Sequence, residues 1–150
     1  MNDSFLSRYL RLALKVTGAE RGFAVDPALR LISQIQLDDQ TLQSPEFMSF
    51  ATTWLTRALE DRKAVITNNI ITDLSKAPKT NTSFSNLRSV VCIPVGDCGA
   101  LYLDRHIRTG VIPREVIDRL YEMPLQLTPE NMENESEEAL LERYYNPTIS

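Results

Sequence analysis

Residues 87–120 constrain the fold more than any other part of the chain. Leu87-Arg-Ser-Val-Val-Cys-Ile-Pro-Val95 and Gly99-Ala-Leu-Tyr-Leu-Asp104 are two apolar, β-branched runs separated by Gly96, Asp97 and Cys98, the pattern of a tight hairpin. Gly110-Val-Ile-Pro113, followed by Val116, Ile117 and Leu120, signals a helix start. The local order is strand, turn, strand, helix.

Upstream, Phe5, Leu6, Tyr9, Leu10, Ala13, Leu14 and Val16 recur at helical spacing, with Asn2, Asp3 or Ser4 available as a cap and Gly18 where a helix end favours positive φ. Residues 22–25 and 29–36 read as antiparallel strands around Asp26-Pro27, with Leu29, Leu31, Ser33, Ile35 and Leu37 alternating against polar neighbours. Ser44-Pro45-Glu46 is a capped helix entrance, and Phe47, Phe50, Ala51, Trp54, Leu55, Ala58 and Leu59 follow on one face. Residues 64–67 form a short apolar strand. Residues 68–86 are polar and long for a loop, which marks them as a lid or contact surface. The whole predicts an α+β architecture, an antiparallel sheet flanked by helices.

The elements in this order resemble a GAF domain over residues 3–127. Arg88-Ser89 opening a strand that ends in Pro94-Val95 resembles the family's C-terminal half, as does the Gly-x-Leu-Tyr-Leu-Asp return strand at 99–104. Thr17-Gly-Ala-Glu-Arg-Gly-Phe-Ala-Val-Asp26 is similar to the family's first helix-to-strand junction, and Ala64-Val-Ile-Thr-Asn-Asn69 to the strand before its variable ligand-side loop. The resemblance implies a sensing or regulatory role, a pocket roofed by that loop, and self-association through the first and last helices. Cyclic-nucleotide-binding members carry Asn-Lys, Phe and Asp-Glu signatures; the matching positions here are Asp104-Arg105, Ile112 and Val116-Ile117, so cyclic nucleotides are disfavoured. No cysteine occupies the place of bilin attachment. No cofactor is expected.

Within that frame the candidate ligand-binding residues are Phe23, Asn68, Asn69, Asp73, Phe84, Arg88, Ser89 and Tyr102, with Ser83 beside them. Arg88 has a donor fork suited to a carboxylate, and it either pairs with Asp73 to fix the loop or meets an anionic ligand. Phe23 and Tyr102 line the cavity or fill the core. Cys92, between Val91 and Ile93, reads as a small hydrophobe, and neither it nor Cys98 has the setting of a nucleophile. A small sulfoxide reductase of the kind found in one family branch would need one of them exposed and reactive. His106 is the only histidine, so no catalytic triad or multi-histidine metal site is expected, and it reads as a solvated turn residue. Asp38-Asp39, Glu60-Asp61 and Glu137-Glu138 read as surface carboxylates. Catalytic and metal-ligating residues are expected to be absent, and the chain is not expected to be an enzyme.

Charge separates the chain into two parts. The net charge is -4, yet residues 128–150 hold Glu130, Glu133, Glu135, Glu137, Glu138 and Glu142 against Arg143 alone, leaving the rest nearly neutral. No basic cluster exists to release counterions from phosphate, so nucleic-acid partners are not expected. Two cysteines without framework spacing, no membrane-length apolar run and a start lacking leader character predict a cytoplasmic protein without membrane partners. Residues 1–127 are therefore expected as the GAF-like domain and 128–150 as an acidic tail. Pro124 interrupts the last helix of the body, Thr128-Pro129-Glu130 offers a new helix start, and the tail either folds back or docks a partner. The expected function is a regulatory GAF-type sensor or interaction domain in signalling or transcription control. It would be a homodimer that binds a small ligand or a protein partner. A scaffold module with a filled pocket is the alternative.

Overall fold

The apolar spacing from Phe5 to Val16 builds helix α1 (Asn2–Thr17), and Gly18, at φ +71°, terminates it with its N–H on the Leu14 carbonyl at 3.0 Å. The computed structural model describes residues 2–70, 87–106 and 110–142. It continues with β1 (Arg21–Val25), β2 (Leu31–Ile35), α2 (Asp39–Leu42), α3 (Pro45–Asp61), β3 (Val65–Ile70), β4 (Leu87–Val95) and β5 (Gly99–His106). Then come α4 (Arg114–Glu122), a 3-10 turn (Met123–Gln126), α5 (Pro129–Asn134) and α6 (Glu137–Leu140). The fold is α+β. Its five-stranded sheet has the order β2-β1-β5-β4-β3 with every neighbouring pair antiparallel.

Alternation along the strands supplies two apolar cores, one on each face of the sheet. Val91, Ile93, Leu101 and Leu103 face α1 and α4, while Phe23, Val90, Cys92, Ala100 and Tyr102 face Phe47, Ala51, Leu55 and Ala58 of α3. Strand β5 is central and buried along Gly99–Asp104, which is why it reads as a nearly continuous apolar run. Phe5, Leu6, Tyr9, Leu10 and Leu12 of α1 are completely buried, each worth roughly 1.5–3 kcal/mol of burial. The Tyr9 hydroxyl donates to the Leu120 carbonyl at 2.5 Å and ties α1 to α4. At Gly22 the strands approach so closely that a Cβ would meet the Tyr102 carbonyl oxygen at 2.6 Å, so this position excludes larger residues.

Capping follows the sequence signals. Ser44 Oγ accepts from Phe47 N at 3.2 Å with Pro45 in the first turn of α3, and Thr128 and Asn131 form a capping box at α5. Pro124 ends the α4 helix in a 3-10 turn, as a proline without an N–H requires.

Several details depart from the sequence reading. Strand β2 is shorter than 29–36, because Leu29 (φ 67°) and Gln36 (φ 60°) both leave the extended region. A register irregularity at Ala24/Val25 also breaks the alternation: Leu31 is 47% exposed, whereas Ile32 and Ile35 pack toward α1. Asp38-Asp39 opens the short α2, Asp38 accepting from Thr41 N at 2.8 Å. Asn68 and Asn69 belong to β3, paired with Ser89 and Arg88, rather than to a loop starting at 68. His106 closes β5 instead of standing in a turn. Residues 71–86 lie outside the described residues.

The segment after Leu127 folds back along α1. Leu140 is completely buried in the α1-side core, and Glu137 contacts Arg11 at 3.2 Å and Lys15 at 3.4 Å instead of being a free surface carboxylate. The apolar stripe of α1, one of the two helices through which the resemblance implies self-association, is covered by the sheet, α4 and the tail, with Leu14 and Val16 partly buried. Among the described residues, no helix is long and apolar enough to cross a membrane.

Candidate ligand-binding face

Strand alternation decides which candidates meet. Arg88 and Tyr102 point to the α3 face with Phe23, and Ser89, one residue on and 1% exposed, points to the α1 face instead. Ser89 therefore does not join the set. Asn68 and Asn69 stand opposite Ser89 and Arg88 in the β3–β4 register. Asp73, Ser83 and Phe84 lie outside the described residues.

The centre of this face is a residue the sequence reading passed over. Asp104, at 0% exposure, is in phase with Tyr102 on β5 and directly opposite Arg21 on β1. Arg21 Nε donates to Asp104 Oδ1 at 2.9 Å and Oδ2 at 3.1 Å, Arg88 Nη1 donates to Oδ1 at 3.1 Å, and the Tyr102 hydroxyl donates to Oδ2 at 2.8 Å. Arg88 Nη1 also reaches Glu20 Oε1 at 2.8 Å. Its partners are thus Asp104 and Glu20. A buried carboxylate is tolerable only when paired and hydrogen-bonded on its lone pairs, and four donated bonds meet that condition.

Two guanidiniums surround that one buried carboxylate, and the remaining carboxylate, Glu20, lies at the surface. Arg21 carries the unspent capacity: its Nη2 is buried and has no hydrogen-bond partner among the described residues. The same guanidinium lies 5.7 Å from the Phe47 ring centroid, so an aromatic face holds its plane. Beneath it Phe23 stacks on Tyr102 at 5.0 Å, and Phe47 meets Tyr102 edge-on at 5.4 Å. Burial first, then the charge and hydrogen bond of Asp104, push the Tyr102 hydroxyl well above the usual phenol range and keep it a donor.

The aromatic residues fill the interior above the central strands, leaving the polar end of the face as the place where a ligand group would be read. A separate groove of about 500 Å³ opens at the opposite, hairpin end of the sheet, lined by Pro27, Leu59, Arg62, Pro94, Gly96, Asp97, Tyr121 and Leu125. None of the sequence candidates lines it.

The neighbouring Arg105 takes the other face, its Nη1 donating to the Thr17 carbonyl at 2.9 Å at the C-terminus of α1. Asp104 and Arg105, adjacent in sequence, thus serve different layers. Both thiols are shielded. Cys92 is 1% exposed and burial alone pushes its pKa far up, while Cys98 is raised by burial and then by Asp97, with its Sγ 3.9 Å from Met132 Sδ. A thiol so placed is a poor source of thiolate.

Glu20, Arg21, Phe47 and Asp104 are the members that sequence reasoning missed. A signal existed: a charged residue two positions from an aromatic on a buried strand, Arg21 before Phe23 and Asp104 after Tyr102, must point into the same layer. No family model and no curated protein sequence matches the chain.

Proposed function

We propose that the chain is a GAF-type regulatory domain in a cytoplasmic signalling or transcription pathway. Its input is the anionic group of a small ligand or protein partner, read by Arg21 and Arg88 on the α3 face. The observation that carries this reading is the pairing of the partly exposed Arg21 and Arg88 with the buried Asp104, in which Arg21 Nη2 has no partner among the described residues. An ion cluster of this kind is costly to bury, and replacing such groups with apolar residues is often neutral or stabilising. A stored, oriented guanidinium is a physical reason to keep it, since Arg presents a fork matched to carboxylate or phosphate. Asp104 orients the forks, and Tyr102 holds Asp104.

The test is thermal stabilisation of the full chain by a panel of carboxylates and phosphate esters. A ligand at a hundred times its Kd adds about 2.7 kcal/mol, and Arg21→Gln should abolish the gain for the same compound. Stabilisation that survives both Arg21→Gln and Arg88→Gln would contradict the site.

A scaffold reading has its own support in the packed Phe23, Phe47 and Tyr102, which occupy the interior where a larger ligand would sit. In that reading Arg88 and Glu20 form a surface for a protein partner. A homodimer, under either reading, would have to associate through a surface other than the covered stripe of α1.

A further inference from the structure

We propose that the outward face of α1 is a receptor for an acidic, helix-forming segment of a partner protein, occupied here by the chain's own residues 129–142. This goes beyond the anion-reading face, which lies on the other side of the sheet. Arg8, Arg11 and Lys15, about one helical turn apart, make a row of cations along α1. The acidic tail lies along that row. Arg8 donates through Nη1 to the Glu135 carbonyl and through Nη2 to the Met132 carbonyl, with the Glu133 carbonyl at 3.4 Å. Glu137 then bridges Arg11 Nε at 3.2 Å and Lys15 Nζ at 3.4 Å. Three residues on, Leu140 enters the same apolar cluster as Phe5, Leu6 and Leu12, with Met132 and Leu141 packed against it.

The contacts define what the face recognises. Arg8 reads backbone carbonyls at the end of a helix, which any helical segment presents, so this grip does not depend on side chains. Specificity comes from a glutamate after that helix end and a leucine three residues later. The resident segment is weakly self-supporting, because α5 has six residues and α6 four, too short to be stable apart from the surface that holds them. Arg11 and Lys15 remain 52% and 60% exposed, so their pairs with Glu137 are open to solvent and salt. A partner segment with the same carbonyl end, acid and leucine therefore competes for the site.

The experiment uses the full chain and a fluorescein-labelled peptide of residues 128–142, followed by anisotropy. In the wild type the tethered tail competes at a high effective concentration, and Leu140→Asp, which disables only the resident anchor, should tighten peptide binding at least ~10-fold. Glu137→Lys, which removes the acid facing Arg11 and Lys15 and opens no cavity, should tighten it as well. In the Leu140→Asp background, Arg11→Glu with Lys15→Glu should weaken binding roughly 10-fold, and a peptide carrying Glu137→Lys should restore it. The proposal is overturned if neither Leu140→Asp nor Glu137→Lys binds the peptide more tightly than the wild type. Wild-type dimers that exchange tails without binding free peptide would also overturn it, because they assign the face to a second copy.

Discussion

Arg21 and Asp104 sit directly opposite each other across the β1–β5 ladder, and the guanidinium Nε reaches both carboxylate oxygens, at 2.9 and 3.1 Å. Removing one partner of a buried pair leaves the other charge without compensation, at a cost of about 3–5 kcal/mol. Asp104→Asn, which preserves shape but leaves Arg21 and Arg88 side by side, should therefore lower the melting temperature by roughly 10 °C. Arg105→Gln, on the other face, should cost much less. Calorimetry on the two variants checks the contrast.

The tail should open locally. Leu140 is the one completely buried anchor among the tail's described residues, and the cavity left by Leu140→Ala falls between α6 and α1. Amide exchange in residues 129–142 should rise about 10-fold or more in this variant, while β4 and β5 keep their protection. Equal acceleration in the central strands would show that the tail and body open as one unit.

Cysteine chemistry should follow burial. Neither thiol should react with a disulfide reagent at pH 7 on the timescale at which the unfolded chain reacts, and Cys98, 5% exposed beside the hairpin turn, should react before Cys92. Both folded-state thiol pKa values lie above the unfolded value of about 8.5. The protonated form is therefore the one the fold favours, its stabilisation complete below that pH and lost as pH rises toward the folded values. Cys92→Ala should reduce the alkaline loss of stability.

At the acid end the relevant turn is β1–β2. The Asp26 carboxylate accepts from the backbone N–H groups of Arg30 and Ala28, both at 2.9 Å, and from Arg30 Nε at 2.7 Å. The Arg30 backbone bond is the largest influence holding its pKa below the usual carboxylate range. A depressed folded value contributes stability above the unfolded pKa and loses it as pH falls through the folded one. Asp26→Asn should therefore narrow the stability difference between pH 6 and pH 2, read by denaturant titration at each pH.

Most of the fold was legible because its elements carry local signals. Ser44-Pro45 and Gly18 mark helix ends by capping chemistry, and the two continuous apolar runs flanking Gly96-Asp97-Cys98 are enough to place a hairpin. Strand β2 was less legible, since its length is set by Leu29 and Gln36 in left-handed conformations that ordinary side chains rarely adopt, and its pairing with β1 shifts register at Ile32, opposite Ala24/Val25. The tail was ambiguous for a different reason: glutamates read as solvated until a cationic helix face is known to lie beside them, and nothing local links Glu137 to Arg11. The candidate face was legible only in part: Phe23, Arg88 and Tyr102 can be placed on one side of the sheet from strand alternation, but Arg21 meets Asp104 across 83 residues of sequence, and only the strand order brings them together.

The most direct measurement is the side-chain Nε–Hε spectrum of the 15N-arginine-labelled full chain, titrated with a dicarboxylate and with a phosphate ester. The regulatory reading predicts that one of these anions shifts the Arg21 and Arg88 resonances together, with saturation, and that Arg21→Gln abolishes the response of Arg88. An Arg21 resonance unmoved by either anion, or an Arg88 response that persists in Arg21→Gln, would contradict it.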